Sequence, residues 1–95
     1  MISEPERERR KVSDLIEAEY NPRKISDEAF AGLRESLTRF GLVQPVIVNR
    51  RNGHVVGGHQ RLKALKAEGV EDIEVVIVDL PDGEEKALNI ALNSP

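Results

Sequence analysis

Ninety-five residues, a formal net charge of −3 and a complete lack of cysteine bound what the chain can be. The length suits one small domain with a modest core, and the missing thiols exclude disulfides, a cysteine nucleophile and thiolate metal sites. The acidic balance, with a pI of about 5.4, excludes a domain that coats duplex DNA by charge alone.

Residues 1–11, MISEPERERRK, are almost devoid of apolar side chains and read as a flexible charged arm, without the pattern of a signal peptide. No apolar run is long enough for a transmembrane helix, so a cytoplasmic protein with no membrane partner is expected. Residues 12–95 read as the folded domain. Lys11 to Ile16 predicts a short strand, and Tyr20-Asn21-Pro22-Arg23-Lys24 a turn. Ser26 before Asp27-Glu28 suits an N-cap followed by acids in the first turn. Phe30, Leu33, Leu37 and Phe40 recur at helical spacing, so residues 27–40 are a helix with one apolar stripe, ended by Gly41.

Val46-Ile47-Val48-Asn49 is β-branched and predicts a strand, and Asn52-Gly53 a hairpin into Val55-Val56. A helix from His59 to Glu68 follows, closed by Gly69. Ile73 to Leu80 is the most apolar stretch and predicts a central strand. After Pro81-Asp82-Gly83, residues 84–93 read as a helix whose pattern runs to the chain end, as expected of a piece of a longer protein. The order predicts an α/β (α+β) fold, a small mixed sheet with helices packed on it.

The chemistry concentrates in VVGGHQRLKA, residues 55–64. Glycines let a ligand approach the backbone closely, a helix N-terminus presents unpaired N–H groups, and Arg61 and Lys63 add donors within two turns. That combination suits a phosphate. A tight turn followed by solvated helix charges explains the same letters without a ligand. The pattern is neither Gly-Lys-Ser/Thr nor G-x-G-x-x-G. His59 admits two roles, a general base or a neutral hydrogen-bonding residue of the turn. His54 reads as exposed, and Asp79 either faces the site or caps the turn before Pro81. The last helix carries Ala87, Leu88, Ile90 and Ala91 on one side, either against its own sheet or as a docking face, including that of a homodimer.

Gly58-His59-Gln60-Arg61-Leu62-Lys63-Ala64 resembles the signature box of the ParB/sulfiredoxin superfamily, the ParB-like N-terminal (ParB-like nuclease) domain, which in partition proteins reads G-E-R-R-x-R-A. The flanks are similar too: Asn21-Pro22-Arg23 matches the family's N-P-R, Gly41-Leu42-Val43-Gln44-Pro45 its G-L-x-Q-P, and Ala91-Leu92-Asn93 a closing Glu-Asn. The resemblance covers roughly residues 12–94 and implies a ParB/sulfiredoxin-like fold. It implies a nucleotide, CTP or another with Mg²⁺, and a DNA-associated protein of chromosome or plasmid partition, of phages or of DNA modification. DNA would be recognised through domains outside this chain.

By the same resemblance Gly57, Gly58, His59, Gln60, Arg61 and Lys63 would surround the phosphates, Arg23 would close over them, Gln44 would lie on the base side, and Asn93 would help hold the metal. The departures have consequences. Gln60 stands where a phosphate-binding Arg is usual, His59 where Glu is, and Leu92 replaces the acid before the final Asn. These place triphosphate hydrolysis in question. Gly-His-x-Arg-Leu-Lys-Ala is closer to domains of the phage, plasmid and methyltransferase-associated type. It also resembles the Gly-His-His-Arg of a free-serine kinase of this fold, so an enzyme, nuclease or small-molecule kinase, is the alternative. Sulfiredoxin activity is excluded, because its cysteine would fall at His59.

Overall fold

The computed structural model of the chain describes residues 2–18 and 24–93, of Asn93 the backbone alone. Five strands form one mixed sheet: β1 Glu6–Lys11, β2 Ile16–Glu17, β3 Val46–Asn49, β4 His54–Gly57 and β5 Asp72–Val78, in spatial order β1-β5-β3-β4-β2. Three helices accompany it: α1 Asp27–Phe40, α2 His59–Ala67 and α3 Asp82–Asn93. Strand β5 pairs antiparallel with β1 and parallel with β3, and β3 closes a hairpin with β4. The predicted mixed α/β sheet is therefore found, with β5 interior and β3 at its centre.

Two differences lie at the N-terminus. The residues read as a flexible arm are, from Glu6 to Lys11, a six-residue edge strand in register with β5, Glu6 opposite Ile77 and Lys11 opposite Asp72. Its charges hid it, because no apolar alternation marks the segment. Backbone pairing to β5 forms the strand, and the charges serve the solvent-facing edge. Arg9 meets Asp72 at 2.6 Å and Arg7 meets Glu74 at 3.6 Å, pairs more than half exposed that add little stability. The strand expected over Lys11–Ile16 is instead a 3₁₀ turn over Val12–Asp14, followed by the two-residue β2. The turn buries Val12 and Leu15, and the Val12 N–H donates to the Glu71 carbonyl.

The core is aliphatic, as three aromatic residues require. Val46, Val48, Val55 and Val75 are fully buried on the sheet, and Leu62 and Leu65 of α2 close over them with Ile73 and Ile77. Helix α1 starts where expected, the Ser26 hydroxyl accepting from the Ala29 N–H at 3.1 Å, and ends at Gly41 with φ +80°. Its stripe is used differently from the prediction. Leu37 packs on the core, Phe30 and Leu33 are half-buried, and Phe40 is 61% exposed beneath the Arg39 guanidinium. Helix α1 leans on α2 rather than on the sheet, so the sheet side of Leu33 is left to line a cavity.

Candidate functional site

The cavity lies where β4 turns into α2. It has a volume of about 630 Å³, within the range of small-molecule sites. Its wall contains Gly57, Gly58, His59, Gln60 and Arg61 from the turn, Gln44 from the loop before β3, and Lys24, Ser26 and Leu33 from the start of α1. Helices α1 and α2 both begin at this wall, through their N-caps Ser26 and Gly58. The free N–H ends of two helices therefore border one space.

The double glycine has a steric cause. Gly58 is the N-cap of α2 at φ +90° and ψ 28°, a left-handed conformation that L side chains disfavour. A Cβ there would stand 3.0 Å from Arg61 Nη2 and 3.2 Å from the Val46 Cα. A Cβ on Gly57 would stand 3.0 Å from Leu92 Cδ1 and 3.2 Å from Ile47 Cδ1. A side chain at Gly58 would be both strained and crowded by backbone, whereas one at Gly57 would require the Leu92 and Ile47 methyl groups to give way.

Arg61 is half-buried. Its Nη2 donates to the Pro45 carbonyl at 2.9 Å and its Nη1 to Gln44 Oε1 at 3.3 Å, while Nε is buried without a partner. The turn and the Gly41–Pro45 loop are joined through this guanidinium. Desolvation lowers the Arg61 pKa, yet the group stays charged, so a partly satisfied cation stands at the cavity wall.

His59 is 5% exposed, and its Nε2 is buried without a partner. Burial pushes its pKa below the ordinary value, helped by the Lys63 and Arg61 charges, against the Glu17 charge and a hydrogen bond with the Val55 backbone. The folded chain therefore keeps His59 neutral at pH 7. Between the lowered folded value and the ordinary value near 6.5, the unfolded chain binds more protons, so stability rises with pH across that window. Urea unfolding at pH 7.5 and 5.5 should show lower stability at the acid value, and His59→Gln should reduce that difference.

Other predicted site residues fall elsewhere. Lys63 is exposed and does not line the cavity. Arg23 lies outside the described residues, as does the side chain of Asn93. Asp79 neither faces the cavity nor caps a turn. It pairs with Arg51 at 2.7 Å, both side chains more than half exposed. His54 is not simply exposed but half-buried, its Nδ1 3.2 Å from Glu85 Oε2. The reading of residues missed the apolar half of the wall, Ile25, Ala29, Leu33, Ile47 and Leu92, because such side chains in a helix stripe or strand look like core. Lys24 was visible only as the last residue of the expected Tyr20-to-Lys24 turn. Among the described residues no group of three or more His, Asp or Glu is placed to hold a metal, and no carboxylate lines the cavity. The described lining thus offers a magnesium ion no carboxylate.

A mixed sheet that delivers a double-glycine turn into a helix start, beside a second helix start, defines a small α/β domain with a cavity, polar on one side and apolar on the other, at one end of the sheet. The chain belongs to the ParB N-terminal domain family, whose pattern it matches over residues 3–94. It is 34% identical over 84 residues to Stage 0 sporulation protein J of Bacillus subtilis (strain 168), covering 85% of this chain and 30% of that protein. It is 33% identical over 84 residues to the probable chromosome-partitioning protein ParB of Helicobacter pylori, covering 85% of this chain and 28% of that one. The ParB-like nuclease domain-containing protein YnaK of Escherichia coli (strain K12) is 29% identical over 77 residues, 81% of this chain and 87% of YnaK.

The chain thus spans less than a third of the partition proteins it matches. In structure it is similar to C-terminally truncated chromosome-partitioning protein ParB from Caulobacter crescentus complexed with CTP-gamma-S, with a TM-score of 0.81 at 21% identity, over 94% of this chain and 53% of that one. The same Caulobacter protein complexed to the centromeric parS site gives a TM-score of 0.72 at 20% identity, over 90% and 46%. At such identities the likeness is one of fold. No helix among the described residues is long and apolar enough to cross a membrane.

Proposed function

We propose that the chain is the nucleotide-binding domain of a DNA-associated protein of the partition type, and that it takes a nucleoside triphosphate in the cavity at the β4–α2 turn. The observation that carries this reading is the convergence on one cavity of two helix N-termini, the Gly57-Gly58 backbone and the half-buried Arg61. A row of amide N–H groups with a guanidinium beside it suits a polyphosphate. The apolar half, with Leu33, Ile47 and Leu92, suits the flat face of a base, next to the amide of Gln44.

CTP is the first candidate, on the strength of the Caulobacter neighbour crystallised with its thio-analogue. Magnesium would be carried by the phosphate oxygens and water. In this reading His59 is a neutral support of the turn. DNA is bound by regions outside this chain, in keeping with the acidic balance of the domain.

Calorimetric titration with CTP, ATP and GTP, each with Mg²⁺, tests the proposal. One of them is expected to bind at a single site. Arg61→Ala should weaken that binding roughly tenfold or more, the loss of a charge-assisted contact. Nucleotide binding that survives Arg61→Ala unchanged would remove the guanidinium from the site. Phosphate release in the same samples reports whether binding is followed by turnover.

A further inference from the structure

Helix α3 is attached to the sheet by the wrong kind of residue. Its apolar side chains Ala87, Ile90 and Ala91 are exposed, Ile90 at 66%, whereas Glu85 and Asn89 are buried at 2% and 7%. The Glu85 carboxylate enters the β3–β4 hairpin. Its Oε1 accepts from Asn49 Nδ2 at 2.7 Å and from Asn52 Nδ2 at 2.9 Å, and its Oε2 meets His54 Nδ1 at 3.2 Å. One turn on, Asn89 Nδ2 donates to the Val56 carbonyl at 2.9 Å. Residues 85, 89 and 92 share one helix face. The third, Leu92, stands against Gly57 and forms part of the cavity wall.

We infer that Glu85 is a positioning residue for the ligand cavity: held by the hairpin, it fixes the placement of α3 and so seats Leu92 against Gly57. Apolar packing tolerates sliding, whereas a carboxylate held by three side chains of one hairpin admits one placement. The hairpin that carries Asn49, Asn52 and His54 also carries Gly57 at its far end. Anchor and cavity wall are thereby referred to the same two strands, and Leu92 lies two turns along α3 from the anchor.

The inference rests on the proposed nucleotide site for its functional consequence, but its geometry can be read without a ligand. The nuclear Overhauser contact between the Leu92 methyls and the Gly57 Hα is measured in the ligand-free chain, together with CTP·Mg²⁺ affinity. Glu85→Gln keeps the acceptor for both asparagines and should preserve the contact and hold affinity within about threefold. Glu85→Ala should abolish the contact and weaken binding tenfold or more. Should the alanine variant not fold, Glu85→Asp, which retracts the anchor by one methylene, is expected to weaken both. An exposed-face control, Ile90→Ser, should leave both unchanged. A Leu92–Gly57 contact that persists in Glu85→Ala, or in Glu85→Asp where that variant is used, overturns the inference. If the unaltered chain binds no nucleotide, the reading of the cavity fails, and the Leu92–Gly57 contact alone decides the role of Glu85.

Discussion

Gly58→Ala is expected to lower stability by about 2–4 kcal/mol, the sum of a left-handed backbone carrying a side chain and a forced contact in a packed corner. The backbone sits at φ +90°, so strain arises whatever space is available. The added carbon would also meet Arg61 Nη2 at 3.0 Å and the Val46 Cα at 3.2 Å. The guanidinium can move, but Val46 is a fully buried residue of the central strand and cannot. If Arg61 yields, its bonds to Pro45 and Gln44 loosen and the cavity changes shape. One substitution is thus expected to damage both stability and ligand binding. Urea unfolding measures the first, and calorimetric affinity the second. Gly69→Ala is the control, since it too has positive φ but meets nothing within 4 Å. It should show the backbone strain without the steric addition.

Asn49→Ala is expected to cost about 3 kcal/mol, the penalty of leaving buried polar groups unmatched. Asn49 is fully buried at the end of β3. Its Nδ2 donates to Glu85 Oε1 at 2.7 Å and to the Leu80 carbonyl at 2.8 Å, and its Oδ1 accepts from the Leu80 N–H at 3.1 Å. The truncation removes a donor from a buried carboxylate and strips a backbone donor and acceptor at the entry to α3. For a domain of this size, that is a large part of the total stability. The midpoint of urea unfolding, with the slope unchanged, reports it. A loss below about 1 kcal/mol would mean that water replaces the amide at little cost.

How much of this was legible follows from what each residue signals. Helix α1, the β3–β4 hairpin, α2 and β5 each carry a local mark: an N-cap at Ser26, Asn-Gly at 52–53, a glycine pair before a polar helix, and a β-branched run. Local physics and final fold agree there, so sequence sufficed. Strand β1 has no such mark. ERERRK becomes a strand because β5 offers an edge, and that is information held by the rest of the sheet. The polar half of the cavity was visible as Gly57 to Arg61 with Gln44. The apolar half was not, since Leu33, Ile47 and Leu92 differ from core residues only by what stands opposite them.

The network around Glu85 was hidden for the same reason. An acid in the first turn of a helix, an Asn ending a strand and a His after a turn are each ordinary surface features. Their burial appears only when α3 is laid across the hairpin. Of the residues expected on one apolar side of α3, Ala87, Ile90 and Ala91 are exposed and Leu88 is half-buried, while Glu85 and Asn89 face the sheet.

Amide-resolved NMR during titration of the chain with CTP·Mg²⁺ tests the central claim most directly. The account predicts saturable shifts that are largest at Gly57, Gly58, His59, Gln60 and Arg61, with smaller ones at Ser26 and Leu92, and their loss in Arg61→Ala. Saturable shifts confined to residues away from the β4–α2 turn, or no shifts there at millimolar CTP, ATP and GTP, would contradict it.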